Sequence, residues 1–156
     1  MGRILIVLLA TVLVAGPAQI AKAHHRPGPC PIRWRFEPVS EHRGEIELAV
    51  RKLIRCAVRR WPVPGGASKA LEVFECESGW WPWAIGGDNL GVGQHKDDYW
   101  PSRARRLLKR AWFPGRRFPA PYGSPGDRRL AFNARANVLV SVRMAHRVGW
   151  GPWACA

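Results

Sequence analysis

Four cysteines, Cys30, Cys56, Cys76 and Cys155, limit the folds open to this chain more than any other feature of its sequence. An even number of cysteines in an exported chain is typical of a disulfide framework, so we expect two disulfides. Three pairings are possible, and the sequence alone does not choose among them. None of the four lies in a Cys-x-x-Cys motif, which argues against a zinc site.

The N-terminus has the features of a secretory signal peptide. Arg3 supplies the positive charge, residues 4–15 form a short apolar core, and residues 21–23 are a small-x-small cleavage motif. The apolar run is shorter than a comfortable membrane span, and no later segment of the sequence reaches that length. We therefore predict a signal peptide over residues 1–23 and a secreted, extracellular protein beginning at His24. An uncleaved anchor is the alternative interpretation.

Positive charge dominates the composition, with 25 lysines and arginines against 11 acidic residues. Cleavage would lower the formal charge from +14 to +12, because Arg3 and Lys22 precede the cut and every acidic residue follows it. Such an excess indicates an anionic partner, either nucleic acid, a membrane or an acidic wall polymer. Export favours the wall or the membrane over nucleic acid, so we expect anionic cell-wall polymers as partners, no nucleic acid and at most peripheral membrane contact. For any single arginine, solubility alone is the alternative explanation.

After the leader, a proline-rich arm over residues 24–39 precedes one domain over residues 40–156. Apolar residues recur at helical spacing from Ile46 to Val58 and predict a first helix, which the proline-glycine run at residues 62–66 ends.

A second helix is predicted from Ser68, a favourable N-cap, to about Gly79, a favourable residue just past a helix end. A strongly basic third helix is predicted over residues 102–112. A last helix within residues 127–148 is predicted to bury one face, made of Phe132, Val138, Leu139, Val142 and Ala145.

Two glycine- and proline-rich stretches separate these helices. Residues 80–94 contain too many turn residues for a helix and predict a loop or a small irregular β-hairpin. Residues 113–126 predict a surface loop. The domain is therefore predicted to be mainly helical, with a minor β element.

Glu77 is an unusual acidic residue in so basic a chain. It lies three residues after Phe74, on nearly the same helix face, and just before Trp80 and Trp81. Apolar surroundings and the negative end of the helix dipole both favour the protonated carboxyl. A general acid that cleaves a glycosidic bond needs that form. The alternative is a surface carboxylate paired with an arginine, which is how we interpret Glu75.

The residues around Glu77 resemble a known family motif. Cys76-Glu77-Ser78-Gly79, followed by the Gly-Val-Gly-Gln of residues 91–94, looks like the Glu-Ser-Gly and Gly-Leu-Met-Gln pattern of soluble lytic transglycosylases, members of the lysozyme-like superfamily. The closing Gly-Trp-Gly-Pro-Trp-Ala-Cys of residues 149–155 is similar to resuscitation-promoting factors, which are secreted wall-lytic proteins. Asn137-Val138 resembles the Asn-Ile of transglycosylases. The match covers residues 68–155. It departs at Gly93, where the family has Met, and in the richer Trp-Trp-Pro-Trp of residues 80–83.

This resemblance implies a lysozyme-like α+β fold, with the loop or hairpin beside an active-site cleft. It implies that Glu77 is the catalytic acid, that Ser78 and Gln94 are site residues, and that the disulfides are Cys76–Cys155 and Cys30–Cys56. The implied reaction is cleavage of the MurNAc–GlcNAc β-1,4 bond of peptidoglycan glycan strands.

A second carboxylate decides between two outcomes of this reaction. Animal-type lysozymes carry an aspartate where this chain has Asn89, and asparagine does not act as a nucleophile or base. A single-acid mechanism that gives a 1,6-anhydro sugar is therefore favoured. Asp88 as the second acid would instead give a lysozyme-type muramidase.

Indole rings and polar side chains near the motif are the candidate sugar contacts. The predicted substrate-binding residues are Ser78, Trp80, Trp83, Asn89, Gln94, His95 and Trp100. Trp81 could join the same aromatic platform. About half of the nine tryptophans are expected in the core, with Trp61 and Trp112 foremost. Trp150 and Trp153 are expected to pack around the terminal disulfide.

We expect no cofactor, no bound metal ion and a monomer. Copper at His24 lacks a second-histidine motif, and calcium at Asp97-Asp98 is less favoured than a solvated turn. Ser78 lacks a clear base partner for nucleophilic catalysis. The rival interpretation of the whole chain is a non-catalytic cationic protein that binds walls or membranes.

Overall fold

The structure, a computed structural model, describes Cys30, Trp34 and residues 42–113, 117–118 and 123–156. The predicted signal peptide and cleavage site lie outside these residues, as do His24 and nearly all of the predicted arm. Over the described part the chain is mainly helical, with one small antiparallel sheet. The prediction of a mainly helical domain is confirmed.

The first helix, α1, runs from Arg43 to Arg60, as its apolar periodicity predicted. Its buried face comprises Ile46, Val50, Leu53, Ile54, Ala57 and Val58. Trp61 follows in an extended conformation, with its N–H bonded to the Ala57 carbonyl, and Pro62 comes next. The spacing of the apolar residues therefore fixes both the helix and its inner face.

The second helix, α2, spans Gly66–Ser78 and begins two residues before the predicted Ser68. Gly65 and Gly66 both have positive φ angles, of 72° and 63°, which lets the chain turn sharply into the helix. The helix ends as predicted at Gly79, which is left-handed at φ 57° and donates to the Glu75 carbonyl.

A three-stranded antiparallel sheet takes the place of the predicted loop or hairpin. Its strands, in spatial order, are β1 (Ile85–Gly86), β2 (Asn89–Leu90) and β3 (His95–Lys96). The strands are two residues long, and the register pairs Ile85 with Leu90 and Leu90 with His95. The connection from β2 to β3 is the Gly-Val-Gly-Gln motif at residues 91–94.

The third helix, α3, spans Trp100–Leu107 and is shorter than the predicted 102–112. Leu108 is extended, and a separate 3-10 turn follows at Arg110–Trp112. The break lets the core take up apolar side chains on both sides of it, since Leu107, Leu108 and Phe113 are all buried. That gain comes from tertiary packing, which the uninterrupted basic pattern of the sequence did not reveal.

The last helix, α4, spans Ala134–Val148 and lies at the centre of the domain, packed against α1 and α3. The prediction of one buried face was wrong for its first part, because every residue from 134 to 142 is buried. Phe132 lies before the helix, in a 3-10 turn, and is only half-buried. Asn133 caps the helix by accepting from the Ala136 N–H.

Both disulfides of the structure have the pairing implied by the resemblance. Cys30–Cys56 attaches the arm to the C-terminal half of α1. Cys76–Cys155 joins α2 to the C-terminal segment across 79 residues. The residue before Glu77 is therefore covalently tied to the end of the chain.

Candidate functional site

Glu77 is the second-last residue of α2, and its side chain is half-buried. Its Oε1 atom accepts a hydrogen bond of 3.1 Å from the backbone N–H of Cys155. No described residue donates a hydrogen bond to Oε2. The terminal disulfide brings Cys155 to this place, so the same link that closes the domain also orients the carboxyl group.

Ser78 connects the end of α2 to the glycine turn. Its Oγ donates to the Val92 carbonyl at 2.8 Å and lies 3.2 Å from the Phe74 carbonyl. The hydroxyl proton is thus engaged within the protein. Ser78 therefore places the turn beside Glu77 and is not a free donor for a substrate.

The turn at residues 91–94 lies directly on α4 and requires its glycines. Gly91 has a φ of 73°, and a side chain there would collide with the Ala131 carbonyl. A side chain at Gly93 would collide with Ser141 and Asn137. A methionine at position 93 would therefore have to displace the buried side chains of Ser141 and Asn137.

Asn137 fixes this turn from inside the core. Its side chain is fully buried and its Oδ1 accepts from the Gly93 N–H at 2.8 Å. Its Nδ2 donates to the carbonyls of Ala131 at 2.8 Å and Leu90 at 3.3 Å. One buried amide thus satisfies three backbone groups from different parts of the chain.

Gln94 uses its amide donors within the turn itself. Nε2 donates to the Gly91 carbonyl at 2.8 Å and to the Ala84 carbonyl at 3.3 Å. The residue is half-buried, with a positive φ of 45°. The amide hydrogens predicted to contact a sugar are therefore committed to holding the turn closed.

His95 is a core residue, only 1% exposed, so it is not accessible as the predicted substrate contact. Arg103 donates to Nδ1 at 3.1 Å, so Nε2 carries the proton and donates to Ser141 Oγ at 2.8 Å. Ser141 in turn donates to the Asn137 carbonyl at 2.9 Å. Burial, and then the charge of Arg103, lowers the pKa of His95 to about 3, so the ring is neutral.

The tryptophans divide into a buried and a half-buried group. Trp100 is fully buried and donates to the Asp127 carbonyl at 2.9 Å, so its predicted place in a sugar platform is wrong. Trp61 is buried as predicted, whereas Trp112 is half-buried; their rings lie 5.4 Å apart.

Trp81 and Trp83, just after Glu77, are half-buried and form an edge-on pair with ring centres 5.1 Å apart. Trp34 of the arm lies 6.2 Å from Trp83. Trp80 is held between helices, with Nε1 donating to the Leu71 carbonyl and the Arg51 guanidinium 4.8 Å from its ring. Trp34, Trp81 and Trp83 thus form a half-buried aromatic wall, and two of its members follow Glu77 within six residues of the chain.

The C-terminal tryptophans are buried, and one of them contacts the glycine turn. Trp153 Nε1 donates to the Gly93 carbonyl at 2.9 Å, and Trp150 Nε1 donates to the Pro64 carbonyl at 3.0 Å. Their ring centres are 5.2 Å apart. The contact of Trp153 with the turn was not predicted, although the closing Gly-Trp-Gly-Pro-Trp is part of the motif.

The remaining polar candidates lie on the sheet. Asn89 is exposed in β2, and Asp88 is exposed in the turn before it. The Asp88 carbonyl accepts from the Asp97 N–H, and the Asp97 carboxylate pairs with Arg128 at 2.9 Å. Asn89 and Asp88 are thus accessible to a ligand, whereas the carboxylate of Asp97 is occupied.

Among the described residues, no three histidine, cysteine or acidic side chains group as metal ligands would. Within the same residues, every helix falls short of the length and apolarity that a bilayer crossing requires. No protein-family model, curated protein or solved structure is significantly similar to the chain.

Proposed function

We propose that this protein is a secreted lytic transglycosylase of the lysozyme-like superfamily. It cleaves the MurNAc–GlcNAc β-1,4 bond of peptidoglycan with Glu77 as its single acid and base. The mainly helical domain, the small antiparallel sheet and the two disulfides are compatible with this proposal. The hydrogen bonds that connect the parts of the motif, from Cys155 to Glu77, from Ser78 to Val92 and from Trp153 to Gly93, support it further.

The setting of Glu77 is the observation that carries the proposal. The carboxyl group lies at the end of α2 and is half-buried, with one oxygen held by the Cys155 N–H and the other free of partners among the described residues. A general acid needs such a fixed direction and an available oxygen. The neighbouring tryptophans offer apolar ring faces on which pyranose rings pack.

The proposed reaction consumes no water. Protonated Glu77 donates its proton to the glycosidic oxygen, and the bond between that oxygen and C1 of MurNAc breaks. The N-acetyl group of the substrate stabilises C1 in the meantime. The Glu77 carboxylate then takes the proton of the 6-hydroxyl, whose oxygen bonds to C1, and a 1,6-anhydro end results. Glu77 is thereby returned to its protonated form.

Positive charge supplies the affinity for the wall in this proposal. The basic residues Arg105, Arg106, Lys109 and Arg110 are exposed in and after α3. They would hold the protein at anionic wall polymers while the glycan strand occupies the site.

The decisive test is Glu77→Gln, measured as loss of turbidity of purified peptidoglycan. Glutamine keeps an oxygen that accepts from the Cys155 N–H but has no proton to transfer, so we expect lysis to fall roughly 100-fold or more. Glu75→Gln is the matched control, because Glu75 is exposed on the same helix; it should lyse like the wild type. Undiminished lysis by Glu77→Gln would disprove the assignment.

Wall binding separates the proposal from a non-catalytic cationic protein. Binding of Glu77→Gln to peptidoglycan should match that of the wild type while lysis is lost. A wild-type protein that binds but releases no muropeptides would favour the non-catalytic alternative.

Product mass separates the transglycosylase from a muramidase. Anhydro products are lighter by one water than hydrolysed ends, so mass spectrometry of released muropeptides distinguishes them. Hydrolysed ends, together with loss of lysis in Asp88→Asn, would favour the muramidase alternative with Asp88 as second carboxylate.

A further inference from the structure

A groove of about 390 Å³ lies between α3 and α4, and its residues take no part in the proposed bond cleavage, although Arg106 also belongs to the basic residues proposed to hold the wall. It is lined by Arg103, Arg106, Leu107, Met144, Arg147 and Val148. Three of the six lining residues are cationic and three are apolar, and no acidic residue is among them. Such a lining suits a ligand that has a negative charge and an apolar part.

The cations of this groove repel each other. Burial lowers the pKa of Arg103 below its usual value; Tyr99 acts in the opposite direction, and the charge of Arg106 lowers it further. Burial and the charges of Arg147 and Arg60 likewise lower the pKa of Arg143, a residue of α4 that donates to the carbonyl of the lining residue Leu107. An anion placed here would relieve this repulsion.

No acidic side chain of the described residues neutralises Arg106 or Arg147. The ion pairs of residues 42–113, 117–118 and 123–156 use His42, Arg43, Arg128 and Arg129 as their basic members. Arg106 and Arg147 are both exposed. Their guanidinium groups are therefore available to bind a phosphate, for which the planar donor fork of arginine is well suited.

The apolar half of the groove indicates what carries the phosphate. Val148, at the end of α4, is 64% exposed, which is high for a branched apolar side chain. Met144 and Leu107 also line the groove and are buried. A polymer of sugars or polyols linked by phosphate has no apolar segment to cover these side chains, whereas an alkyl chain does.

We propose that this groove binds one anionic lipid, with the phosphate on Arg106 and Arg147 and the start of an alkyl chain over Val148 and Met144. The protein would then attach to the outer surface of an anionic membrane through a site separate from Glu77. This inference does not depend on the lytic activity, because it concerns binding alone.

The first experiment compares two double variants of equal charge in binding to phosphatidylglycerol vesicles. Arg106→Gln with Arg147→Gln is expected to weaken binding about 25-fold, since each arginine at a lipid surface contributes roughly fivefold. Arg55→Gln with Arg59→Gln removes the same charge from exposed positions on α1 that do not line the groove. That control should weaken binding less than about threefold. Arg103 is left intact because it also donates to His95.

The second experiment tests the apolar half with dodecyl phosphate as a monomer and glycerol 3-phosphate as its head group alone. Val148→Asn should weaken dodecyl phosphate binding about threefold and leave glycerol 3-phosphate binding unchanged. Leu48→Asn, at an apolar residue of α1 that is 52% exposed, should change neither.

Three outcomes would overturn the proposal. Equal weakening by the two arginine double variants would show that net charge alone binds the vesicles. Equal affinity of the wild type for glycerol 3-phosphate and dodecyl phosphate would show that the apolar residues contribute nothing. Binding to phosphatidylcholine vesicles as tight as to phosphatidylglycerol vesicles would show that the phosphate site is not used for anions.

Discussion

The glycine turn at residues 91–94 and the end of α2 carry the two halves of the same sequence motif, yet the fold uses their polar groups differently. In the turn, the polar groups bond inward: Gln94 to its own turn, and the Gly93 N–H to Asn137. At the end of α2, Glu77 keeps one oxygen without a described partner, and Trp81 and Trp83 are half-exposed.

This difference distinguishes the residues that hold the site in place from the residues that are available to a substrate. A side chain whose donors are fully used by the protein has little left for a substrate, and releasing it would leave buried groups without partners. The turn is therefore a rigid support for the site. The end of α2 offers the unused carboxyl oxygen and ring faces that a glycan would need. Mutations in the turn should lower stability first, and mutations at Glu77 should lower activity with little loss of stability.

Asn137→Ala should have the largest effect on the free energy of unfolding. It leaves the Gly93 N–H and the Leu90 and Ala131 carbonyls without their buried partner, which should cost on the order of 5 kcal/mol. Chemical denaturation measures this change. Asn89→Ala, on an exposed strand residue, should change stability by less than about 0.5 kcal/mol. Similar losses in both variants would mean that the turn is not held from the core.

Removal of the Cys76–Cys155 disulfide by paired alanine substitutions should come next. The bond closes a loop of 79 residues, and loop-closure entropy gives it about 4.5 kcal/mol. Removal of Cys30–Cys56, which spans 26 residues, should cost about 3.5 kcal/mol. Thermal unfolding of the two double variants gives the order, and a reversed order would show that strain or residual structure outweighs loop length.

Acidification should lower the free energy of unfolding, because His95 is buried in its neutral form. The pKa of this imidazole is lowered from 6.5 to about 3, so between these values the unfolded chain binds a proton that the folded protein does not. The contribution of His95 is complete above pH 6.5 and is lost as the pH falls toward 3, by on the order of 4 kcal/mol.

The measurement is the free energy of unfolding at a series of pH values between 7 and 4. His95→Gln keeps a donor for Ser141 but does not titrate, so its stability should fall less steeply over this range. An equal slope in the variant and the wild type would contradict the assignment. Imidazole carbon shifts in NMR spectra should also show the tautomer protonated at Nε2.

Glu77 substitutions should have the smallest effect on stability. Glu77→Ala removes the acceptor for the Cys155 N–H and should cost about 1 kcal/mol. Glu77→Gln preserves an acceptor and should cost less than half of that, as measured by denaturation of both variants. A large loss of stability in Glu77→Gln would show that Glu77 holds the site in place and is not available for catalysis.

Local patterns predicted most of the secondary structure. The apolar spacing from Ile46 to Val58 fixed α1, and Gly79 fixed the end of α2, because both signals depend on neighbours within one or two helical turns. The break of α3 after Leu107 was missed, since its cause is the packing of Leu108 and Phe113 into a core built from distant residues.

The candidate site was predicted less completely. Glu77 and the turn were found through the motif, but Trp100 and His95 were placed at the surface when both are buried. A polar or aromatic residue is ambiguous in a sequence. It can lie in a solvent-accessible site or in the core, where its polar atoms are hydrogen-bonded to the protein. Their role depends on whether a partner such as Asp127 or Ser141 lies within reach.

The amino-acid sequence by itself determined α1, the end of α2 and the excess of positive charge, because these follow from residue type and short-range spacing. Only the tertiary structure decided that Asn137 holds the turn from 44 residues away and that Ser141 contacts His95 from 46 residues away. It also decided that Arg106 and Arg147 line one groove. Hydrogen-bond partners and surface neighbours far apart along the chain meet through packing of the whole domain, and no local pattern records which of them will meet.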